Sequence, residues 1–420
     1  MKLSERFPAL ASRDFFIFWV GMFISMIGTW MQNTTQPYLA YRLTGSSLDL
    51  GIIGFSATLP TLLLALPGGV LVERLDKRKT VIVLQTVMML QALLLAILAL
   101  TGLIRIWHIV ALSFVLGTAN AIEITARQSM LVELVGRKAL PNAIALQATV
   151  FNLARVIGPS LTAVVLLLVK NQGEGWAFLI NALSFLFVIL SLFFVRTPFK
   201  SIQPDNGARQ KRALGSEFSE GLRYVRSNTL VMAILLLAAL IGFFGFPFGQ
   251  QIPAIARTVL GLAGDTEALV KARTSSLYLA QGIGALTAAL IISSFSHMRR
   301  QGLLLMVGQF VFAVTISVLS FARNLPLALV LVGVLGWGMV SQLATMNTLV
   351  QLEAPDHLRG RVFSIYLWAL QGVAPFGSLF VGWLAQSQGV PRAALICGVI
   401  CLLAAVVIHV RFPVVRRKII

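Results

Sequence analysis

The chain has 420 residues, of which 57% are hydrophobic and only 12% charged, and its formal net charge is +19. Soluble globular domains carry about a quarter charged residues, so a mean hydropathy of +0.86 excludes that class. Apolar runs of roughly 20 residues, the length that crosses a ~30 Å hydrocarbon core, recur along the sequence and predict an all-α membrane protein.

In chain order the twelve spans fall near 15–38, 50–72, 80–102, 106–126, 143–168, 176–195, 229–252, 274–294, 302–322, 326–348, 362–386 and 391–411. The first run continues from Phe15 to Tyr41 with no small-residue cleavage pattern, so it reads as a retained span. With the N-terminus inside, most of the 34 Lys and Arg lie in the inner loops and tails. The opposite side keeps Arg42, Arg105, Lys170, Arg257, Lys271, Arg273, Arg323 and Arg392. This bias places both termini in the cytoplasm. Cations spread over many short loops are topological signals, so no nucleic-acid partner is expected. The protein is expected to work as a monomer in the lipid bilayer.

The long inner connection divides the spans six and six. Its first part, FKSIQPDNGARQKR (199–212), reads as a flexible joint. Its second part sets Leu214, Phe218, Leu222 and Val225 at helical spacing, with charges between them. That pattern predicts an amphipathic helix lying in the inner interface. The expected organisation is a bundle at 1–196, a linker at 197–228 and a bundle at 229–420. A shift of 218 residues lays Leu131, Val132, Leu134 and Leu140 on Leu349, Val350, Leu352 and Leu358, as a parallel duplication would.

Between the second and third spans lies GGVLVERLDKRK, in which Glu73, Arg74, Asp76, Lys77, Arg78 and Lys79 crowd one turn. The cations fit an inner loop. The carboxylate of Glu73 does not, because it opposes its own helix dipole at a C-terminus, and it should have a partner elsewhere. Gly69, one turn earlier on the same face, lets a neighbour approach. Gly69-x-x-x-Glu73-Arg74-x-x-x-Arg78-Lys79 resembles the signature loop of the major facilitator superfamily, with Glu for the usual Asp and Asp76 for the usual Gly. A degenerate copy, SHMRRQG, occupies 296–302. ARQSMLVELVGRKALPNAIAL (126–146), FNLARVIGP (151–159), EGLRYVRSN (220–228) and APDHLRGRVFSIY (354–366) look like the bacterial branch that holds the enterobactin exporter and related drug and secretion-type exporters.

The resemblance implies two six-helix bundles in a bacterial inner membrane. It also implies a cytoplasmic latch built from Gly69, Glu73, Arg74, Asp76, Arg78, Arg127, Arg359 and Arg361. The expected partner of Glu73 is the start of the eleventh helix near Gly360 to Phe363. Gly158-Pro159 is similar to the Gly-Pro motif of family antiporters, whose later glycines are replaced here by residues such as Thr162 and Ala163.

Ionisable groups within spans are functional candidates. Of the 15 acidic residues, Glu123 alone is expected inside a span, with Asp14 at the edge of the first; these two are the candidates for proton coupling. Glu123 also has Arg127 at i+4 for a structural pair. Arg155 lies near the midplane, facing a carboxylate or an anionic substrate group. Gln32, Asn33, Gln147, Asn152, Gln250, Gln281, Trp368 and Gln371 complete the expected substrate cavity, and Gln251 and Trp30 are further candidates. Interhelical hydrogen bonding is the alternative for each amide. Cys397 and Cys401 have no further ligands nearby and read as small apolar side chains. No Walker-type loop, nucleophile elbow or metal cluster is present, so neither an enzyme nor a cofactor is expected. The expected function is proton-coupled export of amphipathic or lipophilic small molecules by rocker-switch alternating access. The alternative is a carrier of an anionic solute, such as a siderophore or lysophospholipid, with Arg155 as the clamp.

Overall fold

The computed structural model describes residues 7–169, 172–197, 199, 214–262, 264–294, 301–355 and 358–417. Among them are twelve helical segments long and apolar enough to cross a membrane. The first six are α1 (Arg13–Thr44), α2 (Ser47–Arg74), α3 (Lys77–Leu100), α4 (Ile106–Gly136), α5 (Lys138–Leu166) and α6 (Gly173–Phe194). After the short helix α7 (Leu214–Ser227) come α8 (Thr229–Gly249), α9 (Glu267–Ser294), α10 (Gln301–Leu319) and α11 (Leu325–Glu353). The eleventh span is the pair α12 (Arg359–Gln371) and α13 (Ala374–Gln388), and α14 (Val390–Arg411) is the last. Helices are the economical solution here, because hydrocarbon offers no partner for a free N–H or C=O.

Two compact units result, Met1–Leu43 with Leu59–Asp205, and Thr44–Thr58 with Asn206–Ile420. In the first, α3 packs on α4 and α6. Phe15, Phe18, Val81, Met130, Leu134, Val188 and Leu192 form its core at one end. In the second, α11 packs on α9 and α10, α10 on α14, and α8 on α12 and α13. The opening turns of α2 belong to this second unit, where Ser47 N–H donates to Gln386 Oε1 at 2.8 Å.

Three features differ from the expected spans. The loop expected after residue 126 is helical: α4 runs on to Gly136, whose φ of 72° marks the kink into α5. The extension persists because Met130, Leu131 and Leu134 are buried in the first unit's core. Glu133, expected in a loop, therefore lies within α4 and pairs with buried Lys77. Glu174, also expected outside the spans, is buried in the first turn of α6, where Arg42 neutralises it at 3.3 Å.

The seventh and eleventh spans are broken rather than continuous. Helix α8 stops at Gly249, and a short helix at Ile252–Ala254 with a π turn at Ile255–Val259 follows. Helix α12 stops at Gln371. Each stop lies four residues before a proline, Pro253 and Pro375, whose ring clashes with the i−4 carbonyl and which donates no hydrogen bond. A glycine at each break, Gly249 and Gly372, eases the departure; Pro37 and Pro247 lie inside continuous helices. The amphipathic segment forms α7 (Leu214–Ser227) and docks on the second unit. Tyr224 Oη donates to Glu353 O at 2.9 Å, Arg361 pairs with Glu220 at 2.5 Å, and Val225 is buried. The joint expected at 199–212 lies outside the described residues, apart from Phe199.

At the eleventh-span break the helices meet backbone to backbone. A Cβ on Gly242 would stand 1.9 Å from Leu370 O, and one on Gly377 would stand 2.0 Å from Phe243 O. No side chain fits either place. Gly242→Val is therefore expected to lower stability by about 1–3 kcal/mol, the usual range for overpacking, read by denaturant unfolding of purified protein. Gly360→Ala, where a Cβ meets nothing within 4 Å, is the control and should stay within about 0.5 kcal/mol. Equal effects from the two variants would remove the contact from the account.

Candidate functional site

Inside the first unit, α1, α3, α4 and α6 line a partly open cavity of about 50 Å³. Helical spacing explains its lining. Ser25, Thr29 and Gln32 recur at four- and three-residue steps on α1, as Leu116, Asn120 and Glu123 do on α4, so each set shares one face. The walls combine the amides of Gln32, Asn33, Gln85, Asn120 and Asn181 with the apolar Met22, Met26, Met88, Leu116 and Phe185. Thioether chains fill irregular space adaptably.

Glu123 is the carboxylate of this cavity. Its two oxygens accept from Arg127 Nε at 3.0 and 3.3 Å, and its Oε1 also accepts from Gln85 Nε2 at 3.1 Å. All three side chains are buried. Removing one member of a buried ion pair leaves the other charge uncompensated, which commonly costs about 3–5 kcal/mol. A second group of amides lies along the same cavity. Asn181 Nδ2 donates to Gln32 Oε1 at 2.7 Å, Gln32 Nε2 reaches Gln36 and Gln91, and Gln36 Nε2 donates to Ser113 Oγ at 2.7 Å.

Arg127 also faces a smaller neighbouring cavity of about 20 Å³, with Gln147, Trp19 and the two methionines Met22 and Met26 in its wall. Arg155 is buried, and its guanidinium lies over Trp30, 5.4 Å from the ring centroid, while Phe151 meets Trp30 edge-on at 5.5 Å. Helix α5 reaches Trp30 because Gly158 is bare there: a Cβ would approach Trp30 Cβ to 2.5 Å.

The other expected residues fall elsewhere. Asp14 binds the chain after α6, its Oδ2 accepting from Arg196 N, Thr197 N and Thr197 Oγ1 at 2.7–3.0 Å. Asn152 donates to Ala148 O of its own helix. In the second unit Gln250 packs against Gly54, Gln281 Nε2 lies near Gly249, and Gln251 Nε2 donates to Ser47 O. Trp368 and Gln371 are exposed on α12.

The charged turn resolves in part. Asp76 is the N-cap of α3, accepting from Lys79 N at 3.0 Å, the ordinary duty of Asp at that position. Arg78 donates to Phe193 O, an end carbonyl of α6, where cations are favoured. Arg359 donates to Gln351 O, and Arg361 pairs with Glu220. Gly69, Glu73 and Arg74 lie outside the residues whose side chains are described, and His297 to Arg300 of the degenerate copy lie outside the described residues. Sequence reading passed over Gln36, Gln85, Gln91, Asn120 and Asn181. Polar recurrence along a single helix face is the signal that could have found Gln36 on α1 and Asn120 on α4; the others depend on which helices stand side by side.

A family model described as transmembrane secretion effector matches residues 4–419. The multidrug efflux pump Tap of Mycolicibacterium fortuitum is 26% identical over 376 residues, spanning 88% of this chain and 89% of that protein. The enterobactin exporter EntS of Escherichia coli O1:K1 / APEC is 24% identical over 383 residues, spanning 89% of this chain and 84% of that protein. A solved structure of a bacterial homologue of the human lysosomal transporter Spinster superposes with a TM-score of 0.69 at 13% identity, covering 96% of this chain and 98% of the other. At that identity the likeness shows the fold alone.

If Asp76 acts as a cap, Asp76→Ala should lower stability by about 0.5–2 kcal/mol, while Asp76→Ser should restore it and leave transport unchanged. Stable Asp76→Ser protein that no longer transports would return Asp76 to the latch.

Proposed function

The chain belongs to the transmembrane secretion effector family of major facilitator transporters, and we propose that it exports amphipathic or lipophilic small molecules in exchange for protons. It is a multi-pass membrane transporter and not an enzyme. The observation that carries the proton reading is Glu123, a buried carboxylate held by Arg127 and Gln85 on the wall of a cavity. A carboxylate so placed, paired with a cation and facing open space, is the group of this cavity that can take up and release a proton as the pair opens and closes. Protonation releases Arg127, which then has the smaller cavity before it.

Substrate class follows from the lining. Amides beside methionines and Phe185 suit compounds that present both polar groups and an apolar body. The pumps of drugs and of a siderophore among the relatives support the same breadth. Net movement then comes from rocking of the two compact units, with both termini in the cytoplasm as the cation distribution favours. In this reading Arg155 stiffens the aromatic wall at Trp30 and Phe151 rather than clamping an anion.

Glu123→Gln is expected to abolish ethidium efflux driven by an imposed pH gradient in proteoliposomes, while ethidium binding stays measurable. Normal pH-driven efflux by that variant would end the assignment. Arg155→Gln should weaken transport of ethidium and of carboxyfluorescein alike, by a few fold, in keeping with a cation–π contact worth about 0.5–2 kcal/mol. Loss confined to the anionic dye would favour the anion clamp.

A further inference from the structure

Gln85 is 3% exposed and sits on α3 with its amide nitrogen committed to Glu123. Its carbonyl oxygen, Oε1, is buried and has no hydrogen-bond partner among the described residues. A buried polar group left without a partner is costly, so the arrangement needs a reason. Arg127 supplies the first half of one. An ionised carboxylate only accepts, and the arginine and the amide N–H both donate to it. In this state the amide must present nitrogen to Glu123 and turn its oxygen away.

Once Glu123 holds a proton, its O–H must donate. Arg127 has no acceptor to offer. From α1 and α6 the cavity presents Ser25, Thr29, Gln32, Asn33 and Asn181 but no titrating group, and α3 presents Gln85. The acceptor in direct contact is Oε1 of the same amide, reached by a half-turn about the last side-chain torsion, which is broad and roughly two-fold.

The geometry points to Gln85 as a two-state positioning residue: its N–H holds Glu123 when ionised, and its flipped carbonyl accepts from Glu123 when protonated. This rests on the reading of Glu123 as the group that carries the proton. The proton transfer itself is balanced by the cavity: a proton arrives on Glu123 Oε1, the Arg127 pair loses its anion, and the orphaned Oε1 of Gln85 gains a donor. Nothing else in the trio changes its proton count.

The test is pH-difference infrared spectroscopy on the purified full-length chain, without substrate. A carbonyl band that appears on acidification and vanishes in Glu123→Gln reports protonated Glu123. In Gln85→Met that band should move to higher wavenumber, because its O–H has lost its acceptor. In wild-type protein labelled with ¹³C-glutamine, a side-chain amide band should titrate together with it, and this needs no variant. An unmoved Glu123 band in Gln85→Met, or no co-titrating glutamine band, overturns the proposal while leaving Glu123 as the proton carrier. Absence of any band lost in Glu123→Gln overturns the reading of Glu123, and the proposal with it.

Discussion

Everything in the first unit is arranged around one constraint: a carboxylate held among apolar helices must have its charge met inside the protein. Burial of an unpaired ion is prohibitive in hydrocarbon, and Glu123 is met by Arg127 one turn along the same helix and by Gln85 across from it. The amides around the cavity extend the same logic, since each polar atom in the interior needs a partner. Asn181, Gln32, Gln36 and Ser113 satisfy one another in series. The exceptions stand out for that reason, and Gln85 Oε1 is one of them. A cavity wall made this way is rigid where its bonds close and ready to change where they do not.

Helix position puts the charged site in relief. Gln85 is the ninth residue of α3 and Gln309 the ninth of α10; Glu123 is the eighteenth of α4 and Gln342 the eighteenth of α11. At these helix positions the second unit holds two buried amides, and Gln309 meets His409 at 2.7 Å. An amide joins helices through hydrogen bonds alone, whereas a buried carboxylate needs a cation beside it, as Glu123 has in Arg127.

The fold was legible from hydropathy and length, since spans of about 20 apolar residues have one physical solution in a bilayer. What composition could not reveal were the helix ends. Residues 127 to 136 look like a charged loop, yet Met130, Leu131 and Leu134 find a core to join, and tertiary burial overrides local polarity. The breaks at Gly249 and Gln371 were written in Pro253 and Pro375, but proline alone is ambiguous when Pro37 sits in an unbroken helix. Of the site, Glu123 with Arg127 was readable because i and i+4 share a face. Gln85 and Asn181 were not, because their importance depends on which helices stand beside α4, and spacing within one helix carries no such information.

The same reasoning separates the two sorts of charge in this chain. Asp14, Asp76, Arg78 and Glu220 each satisfy helix ends, a chain turn or a docked helix; their partners are backbone groups, the Thr197 hydroxyl or a half-buried counter-ion, and they hold shape. Lys77 with Glu133 and Arg42 with Glu174 join helices of the first unit in closed pairs. Glu123 differs from all of these in one respect. Its pair lies on a cavity, beside an amide whose buried carbonyl oxygen has no partner among the described residues. In an apolar bundle, open space and a spare acceptor beside an ion pair are what the proposed role requires, and the pairs that only fasten helices together do not combine them.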